Sequence, residues 1–260
     1  MKSKKNSGSW AIVILIVGDA WYVVNVGDSR AVLSSDSGNK ANALSIDHKP
    51  SWSLERKRIL ESGGQIYQTA TVASMGTEPH SIPDIIIGPI RVFPGRLSVS
   101  RTFGDTEAKV LNKGGNPKVV IPTPEICSFK INKSHDFIIL GWDGIFDKLS
   151  DRECVDWVWN SVYQNPNLDV HQVLGLGAEW IMKNALNRRS LDNVTIVIIA
   201  FSGFKDFICS LNEKWHLNEE SDKVHNDKRY TNNKVSSKSQ RSVSQSHAII
   251  GSQGFLTNHS

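Results

Sequence analysis

The stretch that decides the fold reads Phe137-Ile138-Ile139-Leu140-Gly141-Trp142-Asp143-Gly144-Ile145-Phe146-Asp147. Its first half is a short apolar run bounded by glycine, a pattern that is typical of a buried strand. A strand that ends in Asp143 could hold a hard cation, because the strand fixes the carboxylate and the adjacent glycine lets a backbone group or water approach. Asp-Gly is also a common turn. This stretch alone therefore predicts a buried strand and leaves Asp143 open between a turn residue and a metal ligand.

The composition indicates an ordered domain with a polar appendage. Only 39% of the 260 residues are hydrophobic, which is low for a fully packed chain of this length. The net charge of +4 is mild and gives little support for binding to nucleic acid or to a membrane surface. Cys127, Cys154 and Cys209 form no metal-binding or disulfide pattern, which favours a reducing compartment, the cytoplasm or the nucleus.

Apolar, β-branched runs predict most of the other strands. Ala11–Val17 and Trp21–Val26 predict an antiparallel hairpin with both strands well buried. Residues 66–88 show little pattern and predict an irregular excursion or flap, in which Ile85-Ile86-Ile87 could be a short strand or an apolar patch. Glu125–Ile131 alternates weakly and predicts an edge strand, and Val194–Phe201 predicts the last strand.

Three segments have the spacing and caps of helices. Ser51–Ser62 ends at Gly63-Gly64, which suits a left-handed C-terminal cap. Ser150-Asp151-Arg152-Glu153 has the spacing of a capping box, and apolar residues continue at helical spacing as far as Val162. A further helix is predicted from Asp169 to Asn187.

Four aspartates flank the predicted strands. Asp28 follows the second strand, Asp143 and Asp147 follow the central one, and Asp192 precedes the last one. Carboxylates at the ends of neighbouring strands can converge on one cleft. Such a set, completed by water, suits Mg²⁺ or Mn²⁺ rather than Zn²⁺, and no set of histidines and cysteines competes. These four aspartates are the candidate metal ligands.

Six motifs in this order resemble those of the metal-dependent Ser/Thr protein phosphatases, the PPM or type 2C family. Each motif is weak alone, but six in register are not expected by chance. They are Ser7-Gly8-Ser9-Trp10-Ala11, Asn25–Leu33, Asp47–Pro50 with Glu55, Arg58-Ile59 and Gly63-Gly64, Gly95–Asp105, Asp143–Asp147, and Asp192–Thr195.

The resemblance implies an α+β fold, in which two stacked antiparallel β-sheets carry a pair of helices on each outer face, an α-β-β-α sandwich. It covers residues 7–202, which we expect to form a partial phosphatase domain. Residues 1–6 are expected to be loose. Residues 203–260 are expected to be a disordered tail, because Asn218–His247 has almost no aliphatic side chains to bury. Within it, Lys205–His216 could form one or two amphipathic turns against the domain.

The resemblance also implies a chemistry, the hydrolysis of phosphoserine or phosphothreonine in a phosphoprotein by water activated at a binuclear Mg²⁺ or Mn²⁺ centre. Asp143 and Asp192 match ligands of the family's second metal. Asp28, Asp143 and Asp147 match the carboxylates around a third, weaker site. No catalytic group beyond the metal ligands and no other cofactor is implied, and we expect a monomer that binds neither nucleic acid nor a membrane.

Two motifs of the family do not occur in the sequence. D-G-H-G-G supplies the Asp that bridges the two metals, and R-x-x-x-E-D supplies the Arg that holds the substrate phosphate. Both precede S-G-S-T-A in the family, so we expect an N-terminally incomplete domain that lacks the first strands and first helices. Metal affinity falls without the bridging carboxylate. The chain is therefore expected to be weakly active or inactive, and its phosphate-binding residue is unknown.

Three interpretations stay open at this point. The chain could be a truncated Ser/Thr phosphatase, a non-catalytic phosphatase-like module that binds phosphoproteins or a partner phosphatase, or a remnant with no stable fold of its own.

Overall fold

The computed structural model describes residues 7–74, 84–218 and 220, and within them it contains eleven strands. The strands are β1 (Gly8–Ser9), β2 (Ala11–Val17), β3 (Ala20–Val26), β4 (Arg30–Ser35), β5 (Lys40–Ala43), β6 (Gln65–Ser74), β7 (Asp84–Phe93), β8 (Phe103–Gly104), β9 (Glu125–Lys130), β10 (His135–Gly141) and β11 (Ile196–Ala200).

The helices of the same residues are α1 (Ser53–Glu61), α2 (Thr106–Lys109), α3 (Asp143–Phe146), α4 (Asp151–Gln164), α5 (Val170–Asn187) and α6 (202–218), with a 3₁₀ turn at Leu111–Lys113. None of them is both long enough and apolar enough to cross a membrane. The chain divides into two units, Met1–Asn212 and Glu213–Ser260. The features described below belong to the first unit.

Strand β10 lies inside a four-stranded antiparallel sheet with the order β11-β10-β4-β5. Phe137, Ile138 and Ile139 are completely buried. A strand with neighbours on both edges and cover on both faces is a continuous apolar run, and this is the pattern that the sequence shows. The prediction of a buried strand here is confirmed.

The two faces of this sheet carry two different cores, because successive side chains of a strand point to opposite faces. Ile138 packs with Trp21 and Phe201 against the second sheet, β2-β3-β9. Phe137 and Ile139 pack on the other face with residues of α4 and α5. The molecule is thus an α+β structure with stacked antiparallel sheets, as predicted.

The predicted helix caps are present. The Ser150 hydroxyl oxygen accepts a hydrogen bond from the Glu153 amide, and the Glu153 carboxylate accepts one from the Ser150 amide. An equivalent box, which was not predicted, starts α5 at Asp169 and Gln172. Gly63 ends α1 with a φ of 80°, a left-handed conformation that glycine adopts without strain.

The expected hairpin forms between β2 and β3, but the expectation that both of its strands are well buried is wrong for β2. β2 is an edge strand of the order β2-β3-β9, so only one of its edges is paired. Val13, Leu15 and Val17 lie on its outer face and are about half exposed. An apolar run therefore predicts a strand without telling how many of its faces are covered.

The expectation that residues 66–88 form an irregular excursion is wrong for the part that the structure describes. Strands β6 and β7 form a long antiparallel hairpin with register shifts near Thr69 and Ala73. Ile85, Ile86 and Ile87 belong to β7 and are more than half exposed. The usual alternation is missing because the hairpin buries few side chains and its pairing shifts register. Residues 75–83 lie outside the described residues.

The domain boundary predicted at residue 203 falls within α6. Phe204 and Ile208 are 1% and 2% exposed, and both belong to the core that covers Phe137. Phe204 lies edge-on to Phe137 at 5.1 Å and to Trp159 at 5.3 Å between ring centroids. The packed domain therefore extends past residue 202. Residues 1–6 and 221–260 lie outside the described residues.

The contacts of Phe204 predict that Phe204→Ala destabilises the domain by about 3–5 kcal/mol, the usual cost of removing a buried aromatic ring. Chemical unfolding followed by tryptophan fluorescence measures this change. Lys205→Ala is the matched control, since Lys205 is exposed on the same helical turn. Equal stability of the two variants would show that α6 is not part of the folded core.

Candidate functional site

Four aspartates from separate parts of the chain line one cavity of about 360 Å³. Asp28 lies in the bend between β3 and β4, and Asp143 is the first residue of α3. Asp147 follows the last residue of α3, and Asp192 lies in the loop before β11. The structure thus brings together all four candidate metal ligands that the sequence predicted.

Gly144 explains how the loop before β11 reaches α3. A Cβ atom at this position would lie 2.4 Å from the Asn193 carbonyl oxygen, so only glycine permits the approach. The Ser190 hydroxyl donates to the Gly144 carbonyl at 2.7 Å and fixes the loop there. This contact places Asp192 beside Asp143, and their mutual repulsion contributes to a raised pKa of Asp143.

Asp28 is the most deeply buried carboxylate of the cavity, at 3% exposed. Burial, together with the nearby Asp143 charge, raises the pKa of Asp28 to about 7. Its Oδ1 atom is buried and has no hydrogen-bond partner among the described residues. An ionised carboxylate in this position is costly unless a cation or a proton reaches it.

Burial is also the main cause of the raised pKa of Asp143, followed by repulsion from Asp192 and Asp147. A hydrogen bond from the Gly144 amide to Asp143 Oδ1, 2.9 Å long, acts in the opposite direction. The cavity therefore concentrates negative charge in a partly desolvated place.

Lys49 provides a positive charge on the cavity wall. Its Nζ atom lies 2.5 Å from Asp147 Oδ1 and 3.9 Å from Asp47 Oδ2. Although burial acts against it, the hydrogen bond to Asp147 and the charges of Asp147, Asp47 and Asp28 raise the pKa of Lys49. The ammonium thus offsets part of the repulsion among the carboxylates.

An ion-pair network anchors the segment that carries Lys49. Asp47, which is buried, accepts two hydrogen bonds from Arg30, at 2.9 and 2.7 Å. Arg30 also donates to Asp151 at the start of α4, at 2.7 Å. The neighbouring His48 accepts from the Gly27 amide through Nδ1, at 3.1 Å. These contacts tie the Lys49 segment to the bend that holds Asp28.

A second buried network surrounds Glu55 on α1. Burial raises the pKa of this carboxyl, but hydrogen bonds from Arg101, Arg58 and Ser100 outweigh it and hold the pKa at about 2. The Ser100 amide also donates to the His48 carbonyl, at 2.7 Å. Motif residues such as Glu55, Arg58 and Arg101 therefore act as the framework of the cavity and do not line it.

The cavity suits a hard cation that is held by few protein ligands and several waters better than one that is surrounded by protein ligands. Its donors are carboxylate oxygens, and the unpartnered Asp28 Oδ1 is an available one. No three metal-binding side chains within residues 7–74, 84–218 and 220 are grouped closely enough to hold an ion. One or two carboxylates with several waters is the coordination that remains, and small hard cations accept it.

Sequence reasoning missed four polar residues that also line the cavity, Lys49, Ser51, Arg91 and Ser98, which lie there beside Pro89 and Ile90. Lys49 lies within the motif Asp47–Pro50, so its position in the sequence was a usable indication. Arg91 lies on β7 just beyond residues 66–88, and nothing in the local pattern marked it.

The family model described as "Protein phosphatase 2C" matches residues 1–194. The chain belongs to the protein phosphatase 2C family. It is 34% identical over 197 residues to probable protein phosphatase 2C 59 of Arabidopsis thaliana, an alignment that covers 76% of this chain and 51% of that protein. The chain spans about half the length of the curated relatives it matches.

Solved structures agree with this fold. A phosphatase from a pathogenic strain of Toxoplasma gondii superposes with a TM-score of 0.52 at 27% identity, over 71% of this chain and 49% of that one. A C. elegans sex-determining protein superposes with a TM-score of 0.59 at 24% identity, over 80% of this chain and 43% of that one. The latter similarity concerns the fold alone.

The buried Asp28 predicts a stability that depends on pH in metal-free buffer. Because its pKa is about 7 in the folded protein and near 3.8 unfolded, its stabilising contribution is complete below pH 3.8 and is lost as the pH rises through 7. Asp28→Asn should therefore be more stable than the native protein at pH 8, by up to about 4 kcal/mol, and this gain should shrink towards pH 4.

Unfolding titrations at both pH values, with a chelator present, measure this difference. Asp19→Asn is the matched control, because Asp19 is an exposed carboxylate. A gain in Asp28→Asn that is the same at pH 8 and pH 4 would contradict the assigned electrostatics.

Proposed function

We propose that the chain is part of a Mg²⁺- or Mn²⁺-dependent protein Ser/Thr phosphatase and carries one part of its metal centre. The observation that supports this most strongly is the convergence of four carboxylates, one of them buried and lacking a hydrogen-bond partner, on a single cavity. Membership of the protein phosphatase 2C family gives the reaction class.

In this proposal Asp143 and Asp192 hold the cation, with Asp28 and Asp147 close to it. A bound divalent cation would supply activated water and charge neutralisation for phosphoryl transfer. The residues of this chain would fix its position, through β10 and α3 for Asp143 and through the Gly144 contact for Asp192. Lys49, which also lines the cavity, would carry positive charge towards the phosphoryl oxygens.

The substrate would be a phosphoprotein, and the chain would act as a monomer in the cytoplasm or nucleus. The cysteines are free thiols, with Cys154 buried and Cys127 and Cys209 exposed. Free thiols on the surface suit a reducing compartment.

A non-catalytic phosphatase-like binding module is the second candidate. It is favoured by the lack of any three-ligand metal group among the residues that the structure describes. Such a module would keep the framework networks of Arg30 and Glu55 but would not turn over phosphopeptides.

Hydrolysis of a phosphothreonine peptide by the purified 260-residue chain tests the first candidate against the second. We expect slow turnover that increases with Mn²⁺, because the donor set is incomplete. Asp143→Asn should reduce the rate by at least about tenfold, the usual minimum for a change at a metal site. The exposed Asp19→Asn should leave it unchanged.

A hydrolysis rate that does not depend on Mn²⁺, or that is unchanged in Asp143→Asn, would show that the cavity is not the reaction centre. Complete absence of turnover at every Mn²⁺ concentration, in a protein that melts cooperatively, would favour the binding module.

A further inference from the structure

A groove of about 630 Å³ lies on one face of the β6–β7 hairpin. Alternate residues of a strand share a face, and the register places Gln65 opposite Phe93 and Tyr67 opposite Arg91. These four side chains line the groove together with Thr69 and Arg96.

The groove is positively charged. Arg91 Nη1 donates to the Arg96 carbonyl at 2.8 Å, which holds the two residues side by side. Within residues 7–74, 84–218 and 220, no carboxylate forms an ion pair with either guanidinium. The described residues that line the groove include no acidic side chain. Two guanidinium groups that lack a carboxylate partner among the described residues, beside an open channel, favour an anionic occupant.

Arg91 connects this groove to the carboxylate cavity, because its side chain lines both. An extended chain with its phosphorylated residue at Asp143 would therefore pass Arg91 as it left the cavity. Tyr67 and Phe93 would provide apolar contact, and Gln65 and Thr69 would offer polar groups to the peptide backbone.

We propose that the groove binds the peptide segment next to the phosphorylated residue of the substrate and selects an Asp or Glu side chain there through Arg91 and Arg96. This inference deepens the proposed phosphatase function and rests on it for the identity of the substrate. Arg91 and Arg96 act as specificity-determining residues. The acidic side chain of the substrate provides the carboxylate partner that neither guanidinium group has among the described residues.

Fluorescence anisotropy with labelled peptides tests the proposal. One pair of peptides contains a non-hydrolysable phosphonate analogue of phosphothreonine flanked by either Glu or Gln. A second pair contains plain threonine with the same flanks. We expect the Glu peptide to bind about tenfold more tightly than the Gln peptide within each pair, as charge-assisted hydrogen bonds allow. The difference should fall in high salt.

Arg91→Gln and Arg96→Gln should each remove most of this Glu-over-Gln preference while leaving the thermal unfolding temperature unchanged. Arg56→Gln is the matched control, since it removes the same charge from an exposed position on α1. Because Arg96 is exposed, the Arg96 variant remains informative even if the Arg91 variant fails to fold.

The two peptide pairs separate this inference from the proposed function. If the phosphatase proposal fails, the threonine pair still shows the preference for Glu, although the phosphonate adds no affinity. If the groove proposal fails, the phosphonate peptides bind at the carboxylate cavity when Mn²⁺ is present, with equal affinity for both flanks. Equal binding of Glu and Gln peptides, or a single-stranded RNA oligomer that binds more tightly than the Glu peptides, would overturn the assignment of the groove.

Discussion

Repulsion among carboxylates held in one partly buried cavity is the constraint on which the rest of the structure depends. Burial and the Asp143 charge raise the pKa of Asp28, and burial and the Asp192 charge raise the pKa of Asp143. A fold gains nothing in stability from such an arrangement. Lys49 offsets part of the repulsion from one side. The remaining charge is what a divalent cation would neutralise, so the arrangement is understandable as a site and not as a stabilising feature.

Strong local frameworks hold this unfavourable arrangement in place. The carboxylates of the Arg30–Asp47 pair and of the Glu55 network are buried and hydrogen-bonded to arginines that are partly exposed, and breaking such a pair costs up to about 3–5 kcal/mol, the figure for full burial. Strand β10, sealed on both faces, fixes the point from which Asp143 projects. Many residues of the family motifs therefore hold the aspartates of the cavity in place, and only a few of them line it.

The sequence predicted those elements whose burial and hydrogen bonds follow from residues that are close together in the sequence. The run Phe137–Leu140 is buried on both faces, and the capping box at Ser150 needs only neighbouring residues, so both could be predicted. The hairpin formed by β6 and β7 could not, since it buries little and shifts its register. The same hairpin carries Arg91, so the groove was hidden from sequence reasoning. The burial of Phe204 depends on contacts with Phe137 and Trp159. These residues are far from Phe204 in the sequence, so the local composition around residue 204 does not reveal the contacts.

The most direct test of the central claim is a calorimetric titration of the chain with Mn²⁺. We predict weak binding at one site, with a Kd of roughly 10⁻⁴–10⁻³ M, the weak end of the range for carboxylate sites that bind hard divalent cations. Binding should be lost in Asp143→Asn and retained in Asp19→Asn. No heat of binding in the native chain, or equal binding by native protein and Asp143→Asn, would contradict the assignment of the cavity as a metal site.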